Sequence, residues 1–375
     1  MRRARVIIRA AGHLLVAGLL LEVAARVDDR VTWGAPLLGP YRPEVLTEVD
    51  SGGIPRNVPG ARFEKWRVNQ LGFRGAEVSA EKSPGTRRVV CLGQSESFGL
   101  YEPDGAEWPA RLGTLLAPRG GLEVVNASVV GLGRRSRSAY LDRYVLPLQP
   151  DVVILFVNVL SELGPVPPIG SSARPDGARL SWADSRFLAK LKPEIARAIP
   201  APLWARVRAW RLERELRSIE RAELGGRPPA DVVAPEVVAA FEDHLRELVR
   251  VVRSRGAAPV LVTYPVLVDE RNRTAFHLQL SDERVWHAAW SELGLVDGQR
   301  KLNEAVGRVG REQAVPVVDV AAAVPRTLEY FADVVHYTER GAAVVADHVR
   351  TGLDEAGLLG HPAATISPAV VTGRP

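Results

Sequence analysis

Asp333 and His336 stand three residues apart in YFADVVHYTERGAAVVADHV, immediately before a helical run. Around a turn that enters a helix, this spacing brings a carboxylate against an imidazole, so that the Asp orients and charges a general base. A nucleophile to match lies in LGQSESFG, residues 92–99, where Gly93 and Gly99 bound a turn holding Ser95. Glycines at such a corner permit a tight passage from strand to helix, and a Ser there sits at the carboxyl end of the sheet, where open α/β sheets place their ligands. The amides opening the next helix can hold an oxyanion. The plainer reading is that Ser95 or Ser97 only caps that helix.

Two further strand ends carry polar groups. VVNASVVGLG, residues 124–133, ends in a turn whose Gly131 amide can face the same cleft. VVILFVNVLSE, residues 152–162, runs straight into Asn158, whose amide donor beside Ser95 would suit a developing oxyanion. An Asn closing a loop through local hydrogen bonds is the alternative. Asp319, ending VPVVDV, reads as a strand-to-loop cap or a substrate contact, and Tyr264 and Pro265 as cleft lining. His244, His277, His287 and His348 are assigned to surface or core packing. The single Cys91 excludes an intramolecular disulfide and any multi-cysteine zinc or iron–sulfur site; within VVCLG it reads as a packed thiol.

These residues need a scaffold, and the sequence contains one. RRVVCLG, LEVVNASVVG, PDVVILFVN, APVLVTYPV and VPVVDV are short, β-branched and nearly continuous in apolar residues, as strands buried on both faces should be. Helical segments fall between them at about 105–118, 135–147, 235–255 and 297–312. In the third of these, Val238, Phe241, Leu245, Leu248 and Val252 share one face. A closing helix is expected over 340–357. Strands alternating with helices imply a parallel sheet covered on both sides. Residues 162–234, with GPVPPIG, AIPAPLW and GGRPP around a charged helix, break the rhythm and read as a rim insertion and candidate lid.

In type, order and spacing the four blocks resemble the SGNH hydrolase superfamily, the GDSL esterases and lipases. Its Gly-Asp-Ser block appears as Gly93-Gln94-Ser95, its second-block Gly as Gly131, its third-block Asn as Asn158, and its closing Asp-x-x-His as Asp333 and His336. The resemblance covers residues 67–357 apart from the rim insertion, and VNQLGFRG, residues 68–75, looks like the lead-in of membrane-anchored bacterial members. Gln94 departs from the usual Asp, and Val159 follows Asn158 where Asp is common.

The resemblance implies a flavodoxin-like three-layer α/β/α sandwich with a central parallel sheet. It also implies a Ser95–His336–Asp333 triad, an oxyanion hole from the Ser95 and Gly131 amides and the Asn158 side chain, and no metal or organic cofactor. The activity expected from it is hydrolysis of O-acyl esters, in the first place O-acetyl esters on carbohydrate, through an acyl-enzyme. Its rivals are an O-acyltransferase modifying an extracytoplasmic glycan and an inactive binding protein with the same fold.

Organisation and location follow from composition. With 375 residues, 46% apolar and 25% charged, the chain can bury a core, which excludes disordered, collagen-like and disulfide-stapled classes. Residues 1–30 hold six Arg against three acids and so account for +3 of the formal +5. Four of those Arg precede an uncharged run from Ala10 to Leu21, as in a signal anchor or a signal peptide cleaved near Val23-Ala24-Ala25. From Val6 to Ala25 the segment would make about 30 Å of helix, enough to span a bilayer. Positive flanks stay inside, which puts the remainder outside the cytoplasm, membrane-anchored, or secreted if cleaved. The seven Arg of residues 206–227 alternate with four Glu as on a solvated helix, and no nucleic-acid partner is expected. The division read from the sequence is 1–30 anchor or signal, 31–85 linker and lead-in, 86–357 hydrolase domain, and 358–375 disordered tail.

Overall fold

The computed structural model describes residues 2–39, 41, 43–164 and 185–360, and within the N-terminal helix the side chains of Arg9 and of Gly12 onward. Part of the rim insertion and nearly all of the expected tail therefore lie outside the described residues.

Five parallel strands form the centre: β1 (Arg87–Leu92), β2 (Leu122–Asn126), β3 (Val152–Leu155), β4 (Ala258–Val262) and β5 (Val317–Val318). Their order is β2-β1-β3-β4-β5, with β1 flanked by β2 in the register Val89 to Val124 and by β3 in the register Val89 to Val152. This is the flavodoxin-like order expected. Val89, Val90, Cys91, Val152, Val153 and Ile154 are all fully buried, so both sheet faces are covered and the continuous β-branched runs have their physical reason.

The helices are α1 (Arg2–Trp33), α2 (Ser95–Phe98), α3 (Trp108–Leu116), α4 (Arg134–Tyr140), α5 (Arg186–Ala198), α6 (Ala201–Leu224), α7 (Pro235–Arg253), α8 (His277–Arg284), α9 (Glu292–Glu312) and α10 (Glu339–Glu355). Helices α3 and α10 pack on each other over one sheet face, and α4, α7 and α9 adjoin one another over the other. Right-handed crossovers demand this division: stepping from β1 to β2 runs one way along the sheet, and every later step runs the other way. Helix α7 turns Phe241, Leu245, Leu248 and Val252 inward, as its period predicts, together with Val249 and His244.

The region before the sheet is more ordered than a linker. It pairs Thr47–Val49 with Pro55–Asn57 and Arg62–Phe63 with Trp66–Arg67. The lead-in then docks at the end of β2, where Arg74 pairs with Asn126 through its amide at 3.0 Å.

Helix α1 runs past residue 30 to Trp33, and its C-terminal third docks on α5. Glu22 accepts hydrogen bonds from the Ser185 hydroxyl and the Phe187 amide at 2.7 and 3.0 Å, capping α5, while Lys190 pairs with Asp28 and Asp29. From Gly12 to Leu21 the helix is exposed at every residue. Among the described residues, no helix is long and apolar enough to cross a membrane. The expected transmembrane helix over Val6–Ala25 is accordingly not shown: its first turns lie outside the described side chains, and its uncharged run ends at Glu22.

Candidate active site

Strand β1 delivers Ser95 to the first position of α2, a helix of only four residues that Gly99 ends with φ +85°. The corner leaves no room at Gly93, where a Cβ would strike the Ser97 hydroxyl. It is pinned from β2 and its turn: the Ser128 hydroxyl accepts from the Gly93 amide at 3.1 Å, and the Asn126 amide donates to the Ser97 carbonyl at 2.8 Å. Arg74, fully buried, donates to the Phe98 carbonyl and lies over the Phe98 ring. The lead-in is thus part of the frame beneath the nucleophile.

His336 and Asp333 come from the loop between β5 and α10. Asp333 Oδ1 accepts the amides of Val335 and His336 at 2.9 and 2.8 Å, which fixes the carboxylate within its own turn. Its Oδ2 accepts from His336 Nδ1 at 2.7 Å, and Ser95 Oγ donates to His336 Nε2 at 2.8 Å. An ionised carboxylate only accepts, so the proton of the neutral ring sits on Nδ1 and the lone pair on Nε2 faces the hydroxyl. The His336 side chain keeps 14% of its surface exposed, leaving the pair reachable from solvent. Burial alone would push its pKa down, but the hydrogen bond and charge of Asp333, with Glu96 and Glu283 beyond, outweigh it and hold the imidazole above 6.5. Burial likewise opposes ionisation of Asp333, and the bonds from His336 overcome it and bring the carboxyl down.

The structure thus brings Ser95, Asp333 and His336 together. Gly131 and Asn158 occupy the turns after β2 and β3, and Gln94 joins those turns by donating to the Leu132 carbonyl at 2.9 Å and to the Ser161 hydroxyl at 3.0 Å. Asn158 Oδ1 accepts the amides of Leu160 and Ser161 at 3.0 and 3.3 Å, the local loop closure that its position allows. With the carbonyl oxygen so occupied, the Nδ2 donor points away from its own turn. Among the described residues no acceptor takes that donor, nor the amides of Ser95 and Gly131.

Three carboxyls missed by sequence reasoning lie at the corner, Glu96 within it and Glu102 and Glu107 against Gly99, each about 1% exposed. Burial pushes all three up, Glu102 to about 7. The only signal for them was an acidic residue inside the otherwise tight SESFG corner and two more shortly after it. Tyr101 was missed as well; it is 48% exposed, with its ring 5.4 Å from that of His336. Tyr264 is buried and donates to the Val335 carbonyl at 3.2 Å, supporting the histidine loop from below, and Asp319 accepts from the Thr263 hydroxyl at 2.6 Å as a strand-end tie. Neither touches the triad.

A cavity of about 1660 Å³ lies instead along α9 and the β5 edge, lined by Thr263, Asn303 and Asp319 among others. The rim insertion reaches the site indirectly: Arg208 of α6 pairs at 2.7 Å with Asp282 of α8, the helix that carries Glu283. His244 is buried and neutral, pushed to about 3 by burial and by Arg137 and Arg134.

No family model and no curated protein matches this chain. Solved structures do. A lipase/acylhydrolase from Enterococcus faecalis matches with 15% identity, 72% of this chain, 97% of that one and a TM-score of 0.42. An alpha/beta hydrolase enzyme from the metagenome of Lake Arreo matches with 17% identity, 73% and 96%, and 0.42. An acetylxylan esterase from Geobacillus stearothermophilus matches with 13% identity, 71% and 94%, and 0.41. Likeness at this level carries no conclusion about activity, which must come from the site itself.

Proposed function

We propose that this chain is a serine ester hydrolase of the SGNH type that cleaves O-acyl esters, with small acyl groups on carbohydrate as its substrate class. The observation that carries the reading is the unbroken relay from Ser95 Oγ through His336 to Asp333, at 2.8 and 2.7 Å, between residues 241 apart in sequence. A strand-end cap needs no imidazole, and a packed histidine needs no hydroxyl presented on its free lone pair.

The steps follow from the tautomer. Ser95 Oγ attacks the ester carbonyl carbon as its proton passes to His336 Nε2, and the imidazolium formed is held by Asp333. The carbonyl oxygen, now negative, takes the free donors of Ser95, Gly131 and Asn158. Collapse breaks the bond to the alcohol oxygen, which leaves with the proton from Nε2. Water then repeats the sequence on the acyl-enzyme, releasing the acid and restoring Ser95. What supports a sugar as the alcohol part is Tyr101, an exposed amphipathic ring beside His336 against which a pyranose can pack.

The same reading places the chain at a membrane through an uncleaved α1. Leu14, Leu15, Val16, Leu19, Leu20 and Leu21 are 46–74% exposed around the helix, which water alone does not favour. Cleavage near Ala25 would remove Glu22, the cap of α5.

The test is turnover of p-nitrophenyl acetate by the full chain in detergent micelles, beside Ser95→Ala. The substitution should cut turnover at least about a thousandfold and abolish the burst. A folded wild type that shows neither burst nor turnover, or a variant as fast as wild type, rejects the hydrolase.

A further inference from the structure

We infer that Gln94 is a positioning residue whose carboxamide clamps the turn carrying Gly131 to the turn carrying Asn158, and that an acidic side chain at this place cannot do so. The inference rests on the hydrolase reading for its catalytic consequence, while the clamp itself rests on geometry. Gln94 is 4% exposed, next to the nucleophile. Its Nε2 has two hydrogens and two acceptors: the Leu132 carbonyl at 2.9 Å and the Ser161 hydroxyl at 3.0 Å. Ser161 Oγ gives its own hydrogen to the Asn158 carbonyl at 2.7 Å, so towards Gln94 it can only accept. Both contacts therefore demand a donor, and the amide orientation is fixed by them. A carboxylate of the same length would set its lone pairs against a carbonyl and a hydroxyl already committed elsewhere, in a site closed to water. Asp, one carbon shorter, would reach neither and would add a charge.

The two turns have a second tie behind the first. Arg137 donates to Glu162 Oε1 at 3.0 Å, both side chains being almost completely buried, and to the Leu132 carbonyl at 3.3 Å. Its remaining contact is the lone pair of neutral His244 at 2.8 Å. Residues 132 and 162 therefore stay joined when Gln94 is changed, and the loss falls on the side facing Ser95. The donors concerned are the Gly131 amide and Asn158 Nδ2, whose aim at an oxyanion depends on the spacing of the two turns.

The experiment compares the full-length wild type with Gln94→Glu, Ser161→Ala and Ser161→Thr. In Gln94→Glu, kcat should fall on the order of 10- to 100-fold while KM stays within about threefold, because misaimed transition-state donors cost rate and not ground-state binding. In Ser161→Ala, which adds no charge, the acid limb of the pH profile, set by His336, should not move. Ser161→Thr keeps the hydroxyl and should hold wild-type kcat within about threefold; Ser161→Ala should lose part of what Gln94→Glu loses, and the double variant should lose no more than Gln94→Glu alone. Amide hydrogen exchange reads the clamp without turnover: the Leu160 and Ser161 amides should exchange faster in Gln94→Glu, with α7 and α9 unchanged. Unchanged exchange at those amides overturns the clamp whatever the enzyme does. Unchanged kcat in a protein whose turnover Ser95→Ala abolishes overturns the positioning role, and turnover that survives Ser95→Ala rejects the hydrolase reading instead.

Discussion

Glu102 is the sharpest test of the electrostatics around Ser95. It is 1% exposed; Oε2 accepts the Tyr101 amide at 3.2 Å, and Oε1 finds no partner among the described residues. Burial lifts the group from 4.5 to about 7. In the unfolded chain the carboxyl ionises near 4.5, so between 4.5 and 7 the folded state holds more protons and stability falls as pH rises. Below 4.5 both states are protonated and nothing is lost; above 7 the full penalty is present, about 3 kcal/mol for a shift of roughly 2.5 units. Glu102→Gln removes the titration. Any amide hydrogen of the new side chain left without an acceptor costs the same at every pH, so the informative quantity is the change in ΔΔG between two pH values. Urea unfolding of wild type and variant at pH 4 and pH 8, followed by far-UV circular dichroism, should show the variant gaining about 3 kcal/mol on wild type at pH 8 relative to pH 4. A difference under about 1 kcal/mol would mean that Glu102 is hydrated or paired in the folded protein and that the pocket is not dry.

Asp333→Asn should lower kcat on the order of 10⁴-fold by favouring the wrong tautomer of His336. Wild-type kcat/KM should fall as pH drops through a value above 6.5, where His336 becomes protonated, and in the Asn variant this limb should move to lower pH, since the carboxylate that holds the imidazole up is gone. Leu15→Glu with Leu19→Glu should release the chain from the membrane fraction into the supernatant after high-speed sedimentation of expressing cells; retention in the pellet would show that α1 is not what holds it.

Much of the architecture was legible because it rests on local periodicity. A strand such as Arg87–Leu92 is apolar on both faces because both faces are covered, and that is written in its composition. Strand β5 shrank to Val317–Val318 because Pro316 has no amide to give the ladder and Asp319 turns to Thr263. Helix α2, four residues long, is too short to have a period. The candidate triad could be read from residue type, order and spacing, and the side chains do meet. What escaped depends on partners distant in sequence. Glu22 caps a helix that begins 164 residues later, and Gln94, a departure from the family pattern when read alone, acquires a purpose only beside Leu132 and Ser161.

The site also shows how buried side chains sort backbone donors. A strand-to-helix corner and two strand-end turns expose more amides than one oxyanion can use, and any amide left unpaired in a dry site is costly. Here side-chain acceptors take the surplus: Ser128 Oγ the Gly93 amide, Glu96 Oε1 the Gln94 amide at 2.9 Å, and Asn158 Oδ1 those of Leu160 and Ser161. Among the donors left without an acceptor are those of Ser95, Gly131 and the Asn158 side chain, on which the proposed chemistry depends. Two of the residues that enclose them, Glu96 and Glu102, would oppose a developing negative charge if ionised. Burial pushes both carboxyls up, Glu102 to about 7, so the burial that strengthens the donors also opposes ionisation of these neighbouring acids.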